Sequence, residues 1–211
     1  MERHRIAIVI PAFNEEKTIA SVVATALEYG LPVVVDDGSH DQTGAIAAAA
    51  GAMVVRRAVN AGYDQALNSG FAQAEALCCE YVVTMDADGQ HDPTTLGTFV
   101  RSLDDGADVV VGIRDRRQRV AEHIFALVAW AKWGLRDPLC GMKAYRMKIY
   151  RELGHFDSYN SIGTEMAIYA AKSGKKIAQV PVSTRERADI PRFGNWFSTN
   201  ARLLRALWLG M

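Results

Sequence analysis

Short apolar runs alternate with segments of helical period through the first half of the chain, and most of the runs stop at an acidic or glycine-bearing cluster. Residues 6–10, Ile-Ala-Ile-Val-Ile, are apolar without a break up to Pro11, the pattern of a strand buried on both faces. Asn14, Glu15 and Glu16 then suit a helix N-terminus, and Ile19, Val22, Val23, Ala26 and Leu27 recur at helical spacing before Gly30. A second strand is predicted over 32–35, running into Asp36-Asp37-Gly38-Ser39. An Ala-rich helix over 41–50, a strand over 52–55, a helix over 63–79 and a strand over 81–85 follow. A helix over 93–103, opening on Pro93, leads to a fifth strand over 108–112.

This strand–helix alternation predicts a single-domain α/β fold of Rossmann-like type, a mostly parallel sheet with helices on both faces. Sheets of that kind bind ligands beyond the carboxyl ends of their strands. Phe13-Asn14-Glu15, Asp36-Asp37-Gly38-Ser39, Asp86-Ala87-Asp88 and Arg114 all fall at such ends. The second half predicts an apolar helix over 118–135, a loop over 137–141 and a short strand over 143–147. A helix over 164–172, a strand over 177–182 broken off by Pro181 and a basic loop over 185–194 come next. The expected division is a catalytic domain over 1–194 and a C-terminal amphipathic helix over 195–211, either docked on the core or lying on a membrane surface.

Charge and composition remove several classes. Lys plus Arg and Asp plus Glu both total 24, so no global basic surface points to nucleic acid. Cys78, Cys79 and Cys140 form neither a disulfide framework nor a zinc spacing. The apolar run from Ile124 to Trp133 is shorter than the roughly 20 residues of a spanning helix, and no signal peptide is visible. The expected location is cytoplasmic.

The chemistry concentrates at the end of the fourth strand. Asp86 and Asp88, with Gln90, His91 and Asp92 behind them, offer hard oxygen ligands for Mg²⁺ or Mn²⁺ facing a phosphorylated ligand. An EF-hand is excluded, because His91 stands where the loop requires glycine and Gly97 where it requires glutamate. Asp36 and Asp37 suit base or ribose contacts as well as a turn that caps the next helix, one role for each. Glu15 suits a ligand contact or a first-turn acid equally.

Together, Ile10-Pro-Ala-Phe-Asn-Glu-Glu16, Val35-Asp-Asp-Gly-Ser39, Asn60-Ala-Gly62, Met85-Asp-Ala-Asp-Gly-Gln-His-Asp-Pro93, Val110-Val-Gly112 with Arg114, and Asp137-Pro-Leu-Cys-Gly141 with Ala144-Tyr-Arg146 resemble glycosyltransferase family 2, of the GT-A fold. Glu165 and Val180-Pro-Val182 complete the series. Within that family the chain looks most like the polyprenyl-phosphate (dolichol-phosphate) hexose transferases. The resemblance implies that Pro11, Phe13 and Glu15, with Asp36 or Asp37, line a nucleotide-sugar pocket shared with Asp86. It implies that Asp86, Asp88 and Gln90 hold the metal and diphosphate, and that Arg114 positions a phosphate. Two departures stand out: Ile113 and Asp115 flank Arg114 where relatives commonly show Ser and Tyr, and Asp64 or Gln65 stands where they carry glycine.

The resulting expectation is an inverting, metal-dependent hexosyltransferase using a donor of GDP-mannose or UDP-glucose type. A lipid-phosphate acceptor is already ionised and needs cations rather than a base. Arg114, Arg117, Arg187 and Arg192 are the candidates. A hydroxyl acceptor would need a carboxylate base, and Glu165 is the candidate. A lipid acceptor implies peripheral contact with the inner face of the membrane through the Trp196–Trp208 segment. A haloacid-dehalogenase-type phosphatase fits less well, since it leaves Asp36-Asp37-Gly38-Ser39 unexplained. A non-catalytic sugar-nucleotide-binding protein is disfavoured by the intact Asp86, Asp88 and Gln90.

Overall fold

The computed structural model describes residues 5–89, 93–115, 119–183 and 196–210. Among these residues one seven-stranded sheet runs in the order β3-β2-β1-β4-β6-β5-β7. The strands are β1 (Ile6–Ala12), β2 (Leu31–Asp36), β3 (Met53–Arg56), β4 (Tyr81–Thr84), β5 (Val109–Arg114), β6 (Lys143–Arg146) and β7 (Ile177–Val182). The helices are α1 (Ile19–Leu27), α2 (Thr43–Ala49), α3 (Tyr63–Ala76), α4 (Pro93–Asp104), α5 (Val120–Trp133), α6 (Met147–Leu153), α7 (Glu165–Lys172) and α8 (Trp196–Gly210).

Two apolar layers follow from the two-residue period of the strands. Ala7, Val9, Val33, Val35, Val82, Val109 and Val111 point to the face covered by α3, α5, α6, α7 and α8. Ile6, Ile8, Ile10, Val34, Val83 and Val110 point to the opposite face, against α1, α2 and α4. The central strands are therefore apolar on both sides, which is why they read as unbroken runs.

The structure differs from the pattern in four places. β1 continues through Pro11 to Ala12, because its ladder with β4 ends at Val9 and beyond that point it pairs with β2 alone. β7 likewise runs through Pro181, which pairs with Ile113 and is exposed. β7 is the edge strand, so the missing N–H costs no ladder bond on its outer side. α1 begins at Ile19 rather than at Asn14, after a turn in which the Thr18 and Ile19 N–H groups both donate to Glu15 O. α6 follows β6 directly and buries Met147, Ile149 and Tyr150, a two-turn helix that its Lys and Arg content concealed.

The strand that most affects the site is β6. It is antiparallel to both neighbours, β4 and β5. Its beginning, not its end, therefore reaches the rim formed by the carboxyl ends of the others, and the Asp137–Gly141 loop joins that rim.

α8 docks with Leu203, Ala206 and Leu207 buried, while Leu204 and Trp208 stay exposed. Arg205 donates from Nη1 to Tyr159 O at 2.9 Å, which fixes one of the two helix arginines to the body of the protein.

Candidate active site

At one end of the rim, the β2 carboxylates organise backbone. Asp36 Oδ1 accepts from the Ser39 N–H at 2.9 Å, closing the turn after β2. Asp37 accepts from Ala61 N–H at 3.2 Å and Gly62 N–H at 2.9 Å, and pairs with Arg57 Nε at 3.3 Å. Arg57 Nη1 is buried and has no hydrogen-bond partner among the described residues. Arg57 is also one of the residues lining a cavity of about 390 Å³, with Gly38, Ser39, His40, Arg56 and Ala58. A guanidinium with a spare N–H beside such a cavity suits an acceptor atom of a ligand that reaches it.

The β1 loop closes over this end. Phe13 meets His40 edge-on with ring centroids 6.0 Å apart. Asn14, at φ +54°, accepts through Oδ1 from His40 N–H and donates its own N–H to Ser39 Oγ. The Glu15 N–H donates to Thr43 Oγ1 at 2.7 Å, and its carboxylate stands 3.3 Å from the Thr18 hydroxyl. That hydroxyl donates to Ala87 O at 2.7 Å, so the loop after β1 is tied to the loop carrying Asp86 and Asp88. Pro11, in β1, lies level with Val35 of β2.

In the middle of the rim, Asp86 and Asp88 are half-buried just past β4. The Thr84 hydroxyl donates to Gly141 O at 2.7 Å and accepts from the Lys143 N–H at 3.1 Å, which locks the start of β6 to the end of β4. The lock presses Gly141 onto Asp86: a Cβ on Gly141 would stand 2.4 Å from Asp86 Oδ2. Lys143 is buried and donates from Nζ to Cys140 O at 2.6 Å. Burial lowers its pKa, opposed by the charges of Asp137 and Asp86.

Among the described residues no group of three or more His, Cys, Asp and Glu side chains gathers as a metal site. Asp86 and Asp88 nevertheless fit a hard divalent ion. Mg²⁺ is usually held by one or two carboxylates together with substrate phosphates and water. Gln90, expected to join them, lies outside the described residues, as do Arg117, Arg187 and Arg192.

At the far end, Arg114 is clamped rather than free. Its Nε and Nη2 donate to Asp137 Oδ2 and Oδ1 at 2.9 and 3.0 Å, and its backbone N–H donates to Asp137 Oδ2 at 3.1 Å. Glu122, at the start of α5, stands 3.4 Å from Arg114 Nη2 and 3.6 Å from Arg119 Nη1. Burial works to lower the Arg114 pKa, but the Asp137 hydrogen bonds and charge hold it above its ordinary value. Burial also pushes the Cys140 thiol up to about 12, so it stays protonated and inert.

Glu165 opens α7, and its carboxylate is engaged three times. It accepts from Ser158 N–H at 2.6 Å and Ser158 Oγ at 2.7 Å, and its Oε1 is 2.9 Å from His155 Nε2.

The rim thus brings together Pro11, Phe13, Glu15, Asp36, Asp37, Asp86, Asp88 and Arg114. Arg57, Asp137, Glu122 and Lys143 are additional. Of these, Asp137 was within a motif already singled out, and Arg57 stands three residues before Asn60. Glu122 and Lys143 carry no local sequence signal, since only tertiary pairing shows what they face.

The chain matches the family model for glycosyl transferase family 2 over residues 7–162. It is 32% identical over 196 residues to the dolichyl-phosphate hexose transferase of Haloferax volcanii, covering 87% of this chain and 84% of that one. It is 30% identical over 203 residues to the undecaprenyl-phosphate 4-deoxy-4-formamido-L-arabinose transferase of Edwardsiella ictaluri, covering 86% of this chain and 60% of that one. Among solved structures, glucosyl-3-phosphoglycerate synthase from Mycobacterium tuberculosis, in complex with Mn²⁺ and UDP-glucose, superposes with a TM-score of 0.74 at 24% identity. That match covers 96% of this chain and 76% of the other. The strand order, the rim of polar strand ends and these matches agree: the chain belongs to glycosyltransferase family 2, with the GT-A fold, and uses a nucleotide-sugar donor.

Proposed function

We propose that the protein is an inverting, divalent-metal-dependent hexosyltransferase whose acceptor is a polyprenyl phosphate. The observation that carries this reading is the order of groups along the rim. In sheet order it runs from the Arg57 cavity and Asp37 beyond β3 and β2, through Asp86 and Asp88 beyond β4, to Gly141 before β6 and Arg114 at the end of β5. A nucleoside, a diphosphate, a sugar and a second anion laid along that line meet groups of suitable chemistry in turn.

Asp86 and Asp88 would hold Mg²⁺ or Mn²⁺, which supplies charge neutralisation for the departing diphosphate. Arg57 donates to the base, and Asp37 holds Arg57 and the Asn60–Gly62 loop in place. Arg114, held by Asp137, stands at the acceptor end of that line.

The engagement of Glu165 favours a phosphate over a hydroxyl acceptor. Both Glu165 oxygens already face Ser158 or His155, which leaves fewer lone pairs open to a proton on an acceptor hydroxyl. A phosphate nucleophile needs no base. The lipid part of the proposal is supported by α5 and α8. Among the described residues, every exposed large hydrophobic side chain except Val59 lies on these two helices. On α5, Val120 (71% exposed), Ile124, Leu127 and Trp130 form a stripe that begins beside Arg119. On α8, Trp208 is 70% exposed. No helix among the described residues is long and apolar enough to cross a membrane, and exposed apolar stripes of this kind suit contact with a membrane surface.

A thermal-shift panel of UDP, GDP, ADP and CDP with and without Mn²⁺ tests the donor part. A binder at a hundred times its dissociation constant stabilises by about 2.7 kcal/mol. Transfer from UDP-glucose or GDP-mannose to a short polyprenyl phosphate tests the acceptor part. Absence of any Mn²⁺-dependent shift sinks the first, and equal transfer to a soluble alcohol sinks the second.

A further inference from the structure

The turn leading into α7 is held in a conformation that its sequence resists. Asn160, Ile162 and Gly163 have φ of +57°, +58° and +68°. For a β-branched residue such as Ile162 the left-handed region is unfavourable, so something outside the turn must impose it.

Helix α3 imposes it. Asp64, the second residue of that helix, accepts from Gly163 N–H at 2.6 Å and from Ile162 N–H at 3.2 Å. Asn68, one turn further along α3, donates to Asp157 O at 2.8 Å and accepts from the N–H groups of Phe156 and Asp157. Asp157 in turn accepts from Asn160 N–H at 2.6 Å and Ser161 N–H at 2.7 Å. The helix therefore grips both ends of the turn. Asp64 and Asp157 are 8% and 3% exposed, and burial together with the neighbouring Asp157 charge pushes Asp64 up to about 6. Two carboxylates are kept close together and out of water to hold four residues of backbone.

What the turn touches gives the clasp a purpose. A Cβ on Gly163 would stand 3.4 Å from the Tyr63 ring and 3.7 Å from Lys143 Nζ. Tyr63 and Lys143 both lie in the field of Asp86, and Lys143 is bonded to Cys140 O beside Gly141. The turn thus abuts Lys143 at the start of β6, beside Gly141 and Asp86, while the residue before Tyr63, Gly62, donates to Asp37. On the nucleotide-sugar reading, a hexose attached to a diphosphate at Asp86 would meet this wall.

We infer that Asp64 is a positioning residue, which fixes Ile162 and Gly163 against Tyr63 and Lys143 and so shapes the wall that receives the transferred hexose. The inference rests on the nucleotide-sugar reading above.

The test compares binding of a nucleoside diphosphate with binding of its sugar conjugate, by calorimetry in Mn²⁺, using UDP with UDP-glucose and GDP with GDP-mannose. For the pair that binds, Asp64→Ala is expected to weaken the sugar conjugate at least tenfold and the bare diphosphate less than twofold. Asp64→Asn keeps an acceptor oxygen for one of the two N–H groups, which Asp64 meets with separate oxygens, and is expected to fall between the unsubstituted protein and Asp64→Ala. Gly163→Ala approaches the same wall from the other side and is expected to reproduce the Asp64→Ala pattern, and it carries the test if Asp64→Ala does not fold. Equal weakening of diphosphate and conjugate, or no weakening of the conjugate in either variant, overturns the inference and leaves the donor reading intact. An unsubstituted protein that binds neither pair overturns both.

Discussion

The carboxylate of Asp86 rests directly on the backbone of Gly141, with no room for a side chain between them. The two residues come from opposite directions, Asp86 leaving β4 and Gly141 approaching the antiparallel β6. Their contact fixes where Asp86 stands relative to the start of β6.

Gly141→Ala is therefore expected to displace Asp86 without unfolding the protein. Overpacking of this kind costs about 1–3 kcal/mol. Calorimetry should show Mn²⁺-dependent nucleoside diphosphate binding weakened about tenfold or more while the circular dichroism spectrum is retained. Unchanged binding would mean that Asp86 does not serve the metal or the diphosphate.

Asp88→Ala should abolish transfer and weaken nucleoside diphosphate binding in Mn²⁺. Excess EDTA should abolish transfer by the unsubstituted protein, with recovery on adding back Mn²⁺ or Mg²⁺. Full activity in EDTA would remove the metal from the proposal.

Asp36 and Asp37 should separate on substitution by Asn. Asp36 closes the Ser39 turn, so its change should appear in the melting temperature, at about 1 kcal/mol for one hydrogen bond. Asp37 holds Arg57 as well as Ala61 and Gly62, and its change should also lower nucleotide affinity, by about 1–3 kcal/mol. If neither variant binds nucleotide more weakly, the base does not lie beside Arg57.

The Asp64 carboxyl predicts a pH dependence. Its folded value of about 6 lies above the ordinary 3.8 because burial and Asp157 penalise the ionised form, against the Gly163 and Ile162 N–H groups and Lys143, which favour it. A carboxyl raised in this way favours the fold most below its ordinary value, and that contribution is lost as the pH rises through about 6. The difference corresponds to about 3 kcal/mol. Asp64→Asn removes the titration. Its melting temperature relative to the unsubstituted protein should rise by roughly 5–10 °C between about pH 4 and about pH 7.5. A constant difference across that range would show that Asp64 titrates near its ordinary value.

Trp130 and Trp208 are 58% and 70% exposed on α5 and α8. Replacing both by Ser should reduce co-sedimentation with anionic liposomes and transfer to a lipid acceptor together, while nucleotide binding stays within twofold. Loss of nucleotide binding, or undiminished sedimentation, would count against the membrane-facing role.

Much of the fold was readable because the central strands are apolar on both faces, so 6–10, 32–35 and 81–85 stand out with no help from tertiary structure. The polar strand ends were readable for the same reason, as abrupt breaks after such runs. What escaped was direction and distance. Nothing in Lys143-Ala-Tyr-Arg146 says that the strand runs antiparallel, and α6 hides its two turns among Lys148, Arg151 and Glu152. The prolines at 11 and 181 looked like stops because a lone sequence does not show which side of a strand has a partner. Arg114 read as a free cation, since Asp137 lies 23 residues away and only the fold brings them together. Asp64, which looked like a mere departure at a glycine position, reaches 99 residues along the chain to Gly163.

The position of β5 also governs how the protein must assemble. β1 to β4 pair with one another before the later strands are made, β1 with β2 and β4 and β2 with β3, and only β4 keeps an open edge for β6. β5 pairs with β6 and β7, both of which are made after it. During synthesis the Val109–Val111 run therefore leaves the ribosome with its backbone N–H and C=O groups unmatched, and it stays so until Lys143–Arg146 has followed. An apolar strand without neighbours is the feature most open to pairing with the wrong chain. The half of the sheet that carries Asp36 and Asp37 can form early, while the half that carries Arg114 waits for the later part of the chain. Nascent or truncated forms ending between these strands are the ones a cell would find as aggregates or as chaperone clients.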